Sequence, residues 1–133
     1  MRYVFIYGTL RAGEINDINV AAARHAIETP RFLGQTAVAG RLFDFGTYPG
    51  MVADAGATRV IGDVYEIDDA LVPVLDKIEA VYPGVQGLFT AEQIEIEVKG
   101  RPVACLFYPV APEAVQGRPE IHSGDWVAHR LAR

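Results

Sequence analysis

Hydrophobic positions change their period several times along this chain, and each change predicts an element. Residues 2–7, RYVFIY, are apolar at nearly every position and rich in aromatic and β-branched side chains. That pattern predicts a strand buried on both faces, ended abruptly by Gly8. Residues 16–28, NDINVAAARHAIE, predict a helix capped by Asn16 or Asp17 and stopped before Pro30. Residues 35–54 alternate as two strands around the turn signals Gly46 and Tyr48-Pro49-Gly50. Residues 58–68 predict another strand, with Gly62 marking a bulge or a close contact.

Leu71, Val74, Leu75 and Ile78 then recur at helical spacing. Asp68 or Asp69 stands at the start of that helix, Pro73 falls in its first turn, and Pro83-Gly84 stops it. At about 100° per residue, Glu79 falls on the border of the apolar face, beside Val72 and Leu75. Residues 92–108 predict a hairpin. Ile94, Ile96 and Val98 alternate with Gln93, Glu95 and Glu97, Lys99-Gly100 turns the chain, and PVACLFY returns. Ser123-Gly124-Asp125 is a turn signal before a short helix carrying Trp126. The sum is about six strands with local hairpins and two or three helices. This is an α+β class, one domain over residues 1–133, built on a curled, mixed β-barrel flanked by those helices.

Composition narrows the partners. With 12 basic and 17 acidic residues the net charge is −5, and no Lys/Arg cluster occurs. A nucleic-acid footprint is therefore not expected, nor is attraction to anionic membranes. No apolar run approaches a bilayer-spanning length. The single cysteine, Cys105, has no partner in the chain, so no disulfide framework is expected and a cytoplasmic location is the simplest reading. His25, His122 and His129 lack metal-ligand spacing, and no metal site is expected.

Taken in order, YGTLR (7–11), FDFGTYPGMV (43–52), VIGDVYEID (60–68), LDKIEA (75–80), ACLFY (104–108) and SGDW (123–126) resemble the γ-glutamylcyclotransferase-like family, including its small bacterial and AIG2-like members. The resemblance covers nearly the whole chain. It implies a barrel with a cavity at one mouth, a γ-glutamyl amine or peptide as substrate, and no cofactor. It also implies that Tyr7, Gly8, Thr9 and Leu10 form the substrate-binding turn and that Glu79 is the catalytic acid/base. Two departures bear on the substrate. Ala80 stands where many relatives have glycine, and Leu88-Phe89-Thr90-Ala91 stands where they often read LYRR, so two arginines are absent.

The chemistry makes these residue types intelligible. The α-amine of a γ-glutamyl amide can attack its own γ-carbonyl, closing 5-oxoproline and releasing an amine. Such an intramolecular attack profits from a held conformer. It needs a base for the ammonium and an acid for the leaving amine, and one carboxylate can be both in turn. A helix-face border can desolvate Glu79 and raise its pKa. Main-chain N–H groups at a strand end can hold the substrate carboxylate or the oxyanion.

Alone, YGTLR is a strand-to-turn junction with Arg11 a solvated charge, Glu79 is a solvated helix residue, and the tyrosines are core or rim aromatics. Among the tyrosines, Tyr108 is a candidate to add a hydroxyl to the pocket. Trp126 is read as covering a core edge and Cys105 as a small apolar residue. The alternative to an enzyme is a non-catalytic module with the same barrel that binds γ-glutamyl compounds.

Overall fold

The computed structural model describes residues 1–57, 59–80 and 91–133. Six strands and three helices follow one another as β1 (Arg2–Ile6), α1 (Ile18–Arg24), β2 (Arg31–Asp44), β3 (Pro49–Ala53), β4 (Arg59–Ile67), α2 (Val72–Ala80), β5 (Glu92–Val98), β6 (Arg101–Phe107) and α3 (Trp126–Leu131). The strands form one sheet in the order β3-β2-β4-β1-β6-β5. It curls into a half-barrel, with β3 and β5 at its edges. All pairings are antiparallel except β1 with β6, where Tyr3 faces Cys105 and Val4 faces Leu106.

The continuous apolar run of β1 has a direct cause. Phe5 and Tyr7 pack on one face with Val38, Leu42, Met51, Val60 and Trp126. Val4 and Ile6 pack on the other with Ile18 and Ala22 of α1 and Leu71 and Leu75 at α2. A central strand covered on both faces has no position for a polar side chain. Gly62 on neighbouring β4 is a close contact, since a Cβ there would lie 2.5 Å from Ile6 O. Gly62 pairs with Thr36 of β2, and the bulge lies further along that strand between Phe32 and Gly34, opposite Tyr65 and Val64.

Several expectations need correction. The N-terminal helix stops at Arg24, well before Pro30, because Ala26 takes φ +53° and turns the chain out of the helix. Trp126 is buried in the core beneath α3 and does not cover an edge. Arg11 is only 6% exposed and is not a solvated charge. The other elements match their signals. Asp17 and Asp68 cap by accepting from Asn19 N and Ala70 N. Lys99 (φ +52°) and Gly100 (φ +79°) form the type I′ turn that two-residue hairpins prefer. Cys105 is fully buried, and burial pushes its thiol up to about 11. The predicted Pro83-Gly84 helix stop, Tyr82 and the Leu88-Phe89-Thr90 stretch lie outside the described residues. Among the described residues no helix is long and apolar enough to cross a membrane.

Candidate active site

Because β1 and β6 run parallel, their C-terminal ends reach the same rim of the sheet. The Tyr7–Leu10 turn leaves β1 there, and Tyr108 follows β6. Pro49 opens β3 beside them, and α2 brings Glu79 from the helix-covered face. These segments enclose a narrow pocket with about 310 Å³ of empty space, mouth included, lined by Phe5, Ile6, Tyr7, Gly8, Thr9, Leu10, Pro49, Glu79 and Tyr108. All six residues singled out in the sequence therefore meet around one cavity. Phe5, Ile6 and Pro49 were not anticipated. The first two read as strand core and Pro49 as turn punctuation.

The turn spends its carbonyls internally. Gly8 O accepts from Arg11 N at 3.1 Å, Thr9 O from Asn16 N at 2.9 Å and Leu10 O from Ile18 N at 2.9 Å. The N–H groups of Gly8 and Leu10 make no hydrogen bond to another described residue. With its carbonyls occupied, the turn that lines the pocket has main-chain donors left for a ligand, the polarity an anion requires. The Thr9 hydroxyl accepts from Asn16 Nδ2 at 3.1 Å. The Tyr7 hydroxyl donates to Tyr108 O at 2.7 Å and accepts from Met51 N at 3.2 Å, so it ties the rim together.

Glu79 is 8% exposed, more buried than the border of a helix face suggested. Among the described residues no hydrogen bond or ion pair to its carboxyl is found. Burial disfavours the charged form and pushes its pKa up to about 8. Tyr108 donates its hydroxyl proton to Asp76 Oδ1 at 2.7 Å. Burial, then that hydrogen bond, raises the phenol far above its ordinary value. Helical geometry sets Asp76 about 60° further from the apolar face than Glu79, and nothing in the sequence marks it for this contact.

No Lys or Arg lines the pocket among the described residues. Arg11 is turned away into ion pairs with Asp63 (3.1 Å) and Asp125 (3.0 Å). Among the described residues no group of three or more His, Cys, Asp or Glu is placed to hold a metal ion.

The half-barrel is a fold shared with AIG2-like proteins. It superposes on the crystal structure of an AIG2-like protein from Mus musculus with a TM-score of 0.67 at 24% identity, covering 85% of this chain and 81% of that one. The chain belongs to the family described as gamma-glutamyl cyclotransferase, AIG2-like, which matches residues 4–128. It is 32% identical over 91 residues to a Halalkalibacterium halodurans protein named "Putative gamma-glutamylcyclotransferase", covering 68% of this chain and 80% of that protein. It is 26% identical over 121 residues to a Bos taurus protein named "Gamma-glutamylaminecyclotransferase", covering 81% of this chain. The chain spans 65% of the bovine protein's length, less than two thirds.

Proposed function

We propose that this protein is a γ-glutamylcyclotransferase that converts γ-glutamyl amides to 5-oxoproline and a free amine. The observation that carries the reading is Glu79, a buried carboxyl that no described residue pairs, in a pocket lined also by the Tyr7–Leu10 turn with its main-chain donors. Its pKa of about 8 stands far closer to that of an amine than a solvated glutamate does. Moving a proton from the substrate ammonium to Glu79 is correspondingly cheaper. A solvated glutamate near 4.5 would resist that transfer by roughly 4–5 kcal/mol more. The freed amine attacks the γ-carbonyl and forms the ring C–N bond. The oxyanion is held by the Gly8 and Leu10 N–H groups. As the tetrahedral intermediate collapses, the amide C–N bond breaks, Glu79 returns its proton to the leaving nitrogen, and the second proton shed by the ring nitrogen leaves with the amine, which departs as an ammonium.

That no described residue lining the pocket is a cation supports a preference within that class. Glutathione carries a carboxylate on its amine portion. Arg11 is held by Asp63 and Asp125, and Arg41 by Glu120 at 2.6 Å. Arg101 sits at the far end of β6, about 20 Å from Tyr108 at strand spacing. The reading therefore extends to γ-glutamyl groups on simple amines or lysine side chains, in keeping with the bovine relative's name.

The test is 5-oxoproline release across a panel of γ-glutamyl amines, γ-glutamyl-lysine and glutathione, by wild type and Glu79→Gln. Release from simple amines should exceed release from glutathione. Glu79→Gln should slow it by about 10²–10⁴-fold with ligand binding largely kept. Wild-type turnover retained by Glu79→Gln rejects the catalytic role. Binding of γ-glutamyl ligands without any release makes the protein a binding module instead.

A further inference from the structure

The pocket has a second wall that the reaction above leaves without a role. Tyr108 has one hydroxyl proton, and Asp76 Oδ1 lies 2.7 Å from its oxygen. A carboxylate has no proton to give, so the phenol is the donor in this contact. With that proton committed, the Tyr108 oxygen can offer any other neighbour only its lone pairs. Tyr108 lines the pocket together with Glu79 and the Gly8–Leu10 turn. Asp76 itself is exposed on α2, one turn before Glu79, and is not among the lining residues.

Resting on the γ-glutamyl reading, we infer that Asp76 is a positioning residue: it fixes the Tyr108 hydroxyl so that this wall only accepts hydrogen bonds, and the wall thereby orients the substrate's α-amine toward Glu79. The pocket becomes polarised. Donors at the turn face the anionic and carbonyl groups of the γ-glutamyl unit, and acceptors at Tyr108 and Glu79 face its N–H groups. A substrate entering the other way round would set its ammonium against main-chain N–H groups and its carboxylate against acceptors. Without Asp76, the Tyr108 hydroxyl would be free to turn its proton inward and tolerate that reversed pose. The raised pKa of Tyr108 agrees with a phenol held as a donor to an anion.

A double-mutant cycle tests this, read both as kcat/KM for 5-oxoproline release and as affinity for a γ-glutamyl alkylamide. Asp76→Ala and Tyr108→Phe should each lower both quantities by about 3–10-fold, the scale of one hydrogen bond. The double variant should be no worse than Tyr108→Phe alone, because Asp76 acts through the phenol. Asp76→Asn keeps a carbonyl oxygen to accept from Tyr108 and should stay within about twofold of wild type. A role in helix stability alone would move thermal melts and leave both readouts unchanged. Independent, multiplicative losses in the double variant, or Asp76→Asn as damaging as Asp76→Ala, would overturn the inference. If wild type binds the alkylamide but releases no 5-oxoproline, the cyclotransferase reading fails on its own, and the cycle is decided by affinity. Failure of wild type to bind the alkylamide overturns both.

Discussion

A Cβ on Gly8 would sit 2.7 Å from Pro49 Cγ and 3.0 Å from its Cδ. The residue at the heart of the proposed binding turn is thus small because β3 closes against it. Positive φ has no part in it, since the glycines with φ in that region are others, such as Gly13 and Gly46. The same contact shapes the pocket, as Gly8 and Pro49 both line it. A rigid proline ring cannot swing aside, so Gly8→Ala should destabilise by about 1–3 kcal/mol, the range for overpacking. Pro49→Ala removes the two atoms that collide. In that background Gly8→Ala should cost markedly less, with a coupling of roughly 0.5–3 kcal/mol. Urea unfolding of the two single variants and the double variant measures it. An unchanged cost in the Pro49→Ala background would show that the contact is not the reason for the glycine.

Elements explain why some of this was legible and some was not. The β5–β6 hairpin, the double burial of β1 and the caps at Asp17 and Asp68 are written in neighbouring residues, and all appear as read. The end of α1 was misplaced because Pro30 is a strong local signal, whereas the chain leaves the helix at Ala26, a residue with no preference for positive φ. Arg11 and Trp126 were misread for another reason. Their partners are far away in sequence, so no period or spacing reveals them. The six-residue α3 is too short to persist alone. It is held by Trp126 Nε1, which donates to Glu14 Oε1 at 3.0 Å, and by Arg130, which reaches both Glu14 oxygens. Its cap, Asp125, accepts from both Ala128 N and Arg11. The C-terminal helix therefore clamps the segment that follows the binding turn. Site residues carried on local motifs were legible, while the network that supports them was not. Arg11→Met keeps the bulk but leaves Asp63 buried without its charge partner. It should cost about 3–5 kcal/mol in denaturant unfolding. Adding Asp63→Asn should recover much of that loss, and a cost below about 1 kcal/mol for Arg11→Met would deny the clamp its energetic role.

At the scale of the whole molecule, the proposed base leaves a signature in stability against pH. Glu79 titrates near 4.5 when solvated and at about 8 when folded, raised by burial. Between those values the native state holds a proton that the unfolded chain has released, so stability falls as pH rises, by up to about 1.4 kcal/mol per pH unit. Below 4.5 both states are protonated, and above 8 both are ionised, so the contribution is flat outside that window. Asp44 works in the opposite sense. Its burial alone would raise its pKa, but the hydrogen bond with His129, the Gly46 N–H and the Arg133 charge hold it lower. Its stabilisation is present above the ordinary aspartate range and lost as pH falls below it. The two effects occupy separate windows and favour a stability maximum on the mildly acidic side of neutrality. Glu79→Gln cannot ionise. Whatever constant offset the amide brings, the stability of Glu79→Gln minus that of wild type should be flat below pH 4.5, grow by a few kcal/mol up to pH 8, and be flat again above it. Thermal melts of both proteins at half-unit steps from pH 4 to 9 read this difference as several degrees of separation opening with pH. Parallel melting curves across that range would mean that Glu79 is not held in an environment that disfavours its charge, and the proton-shuttle argument would lose its physical basis.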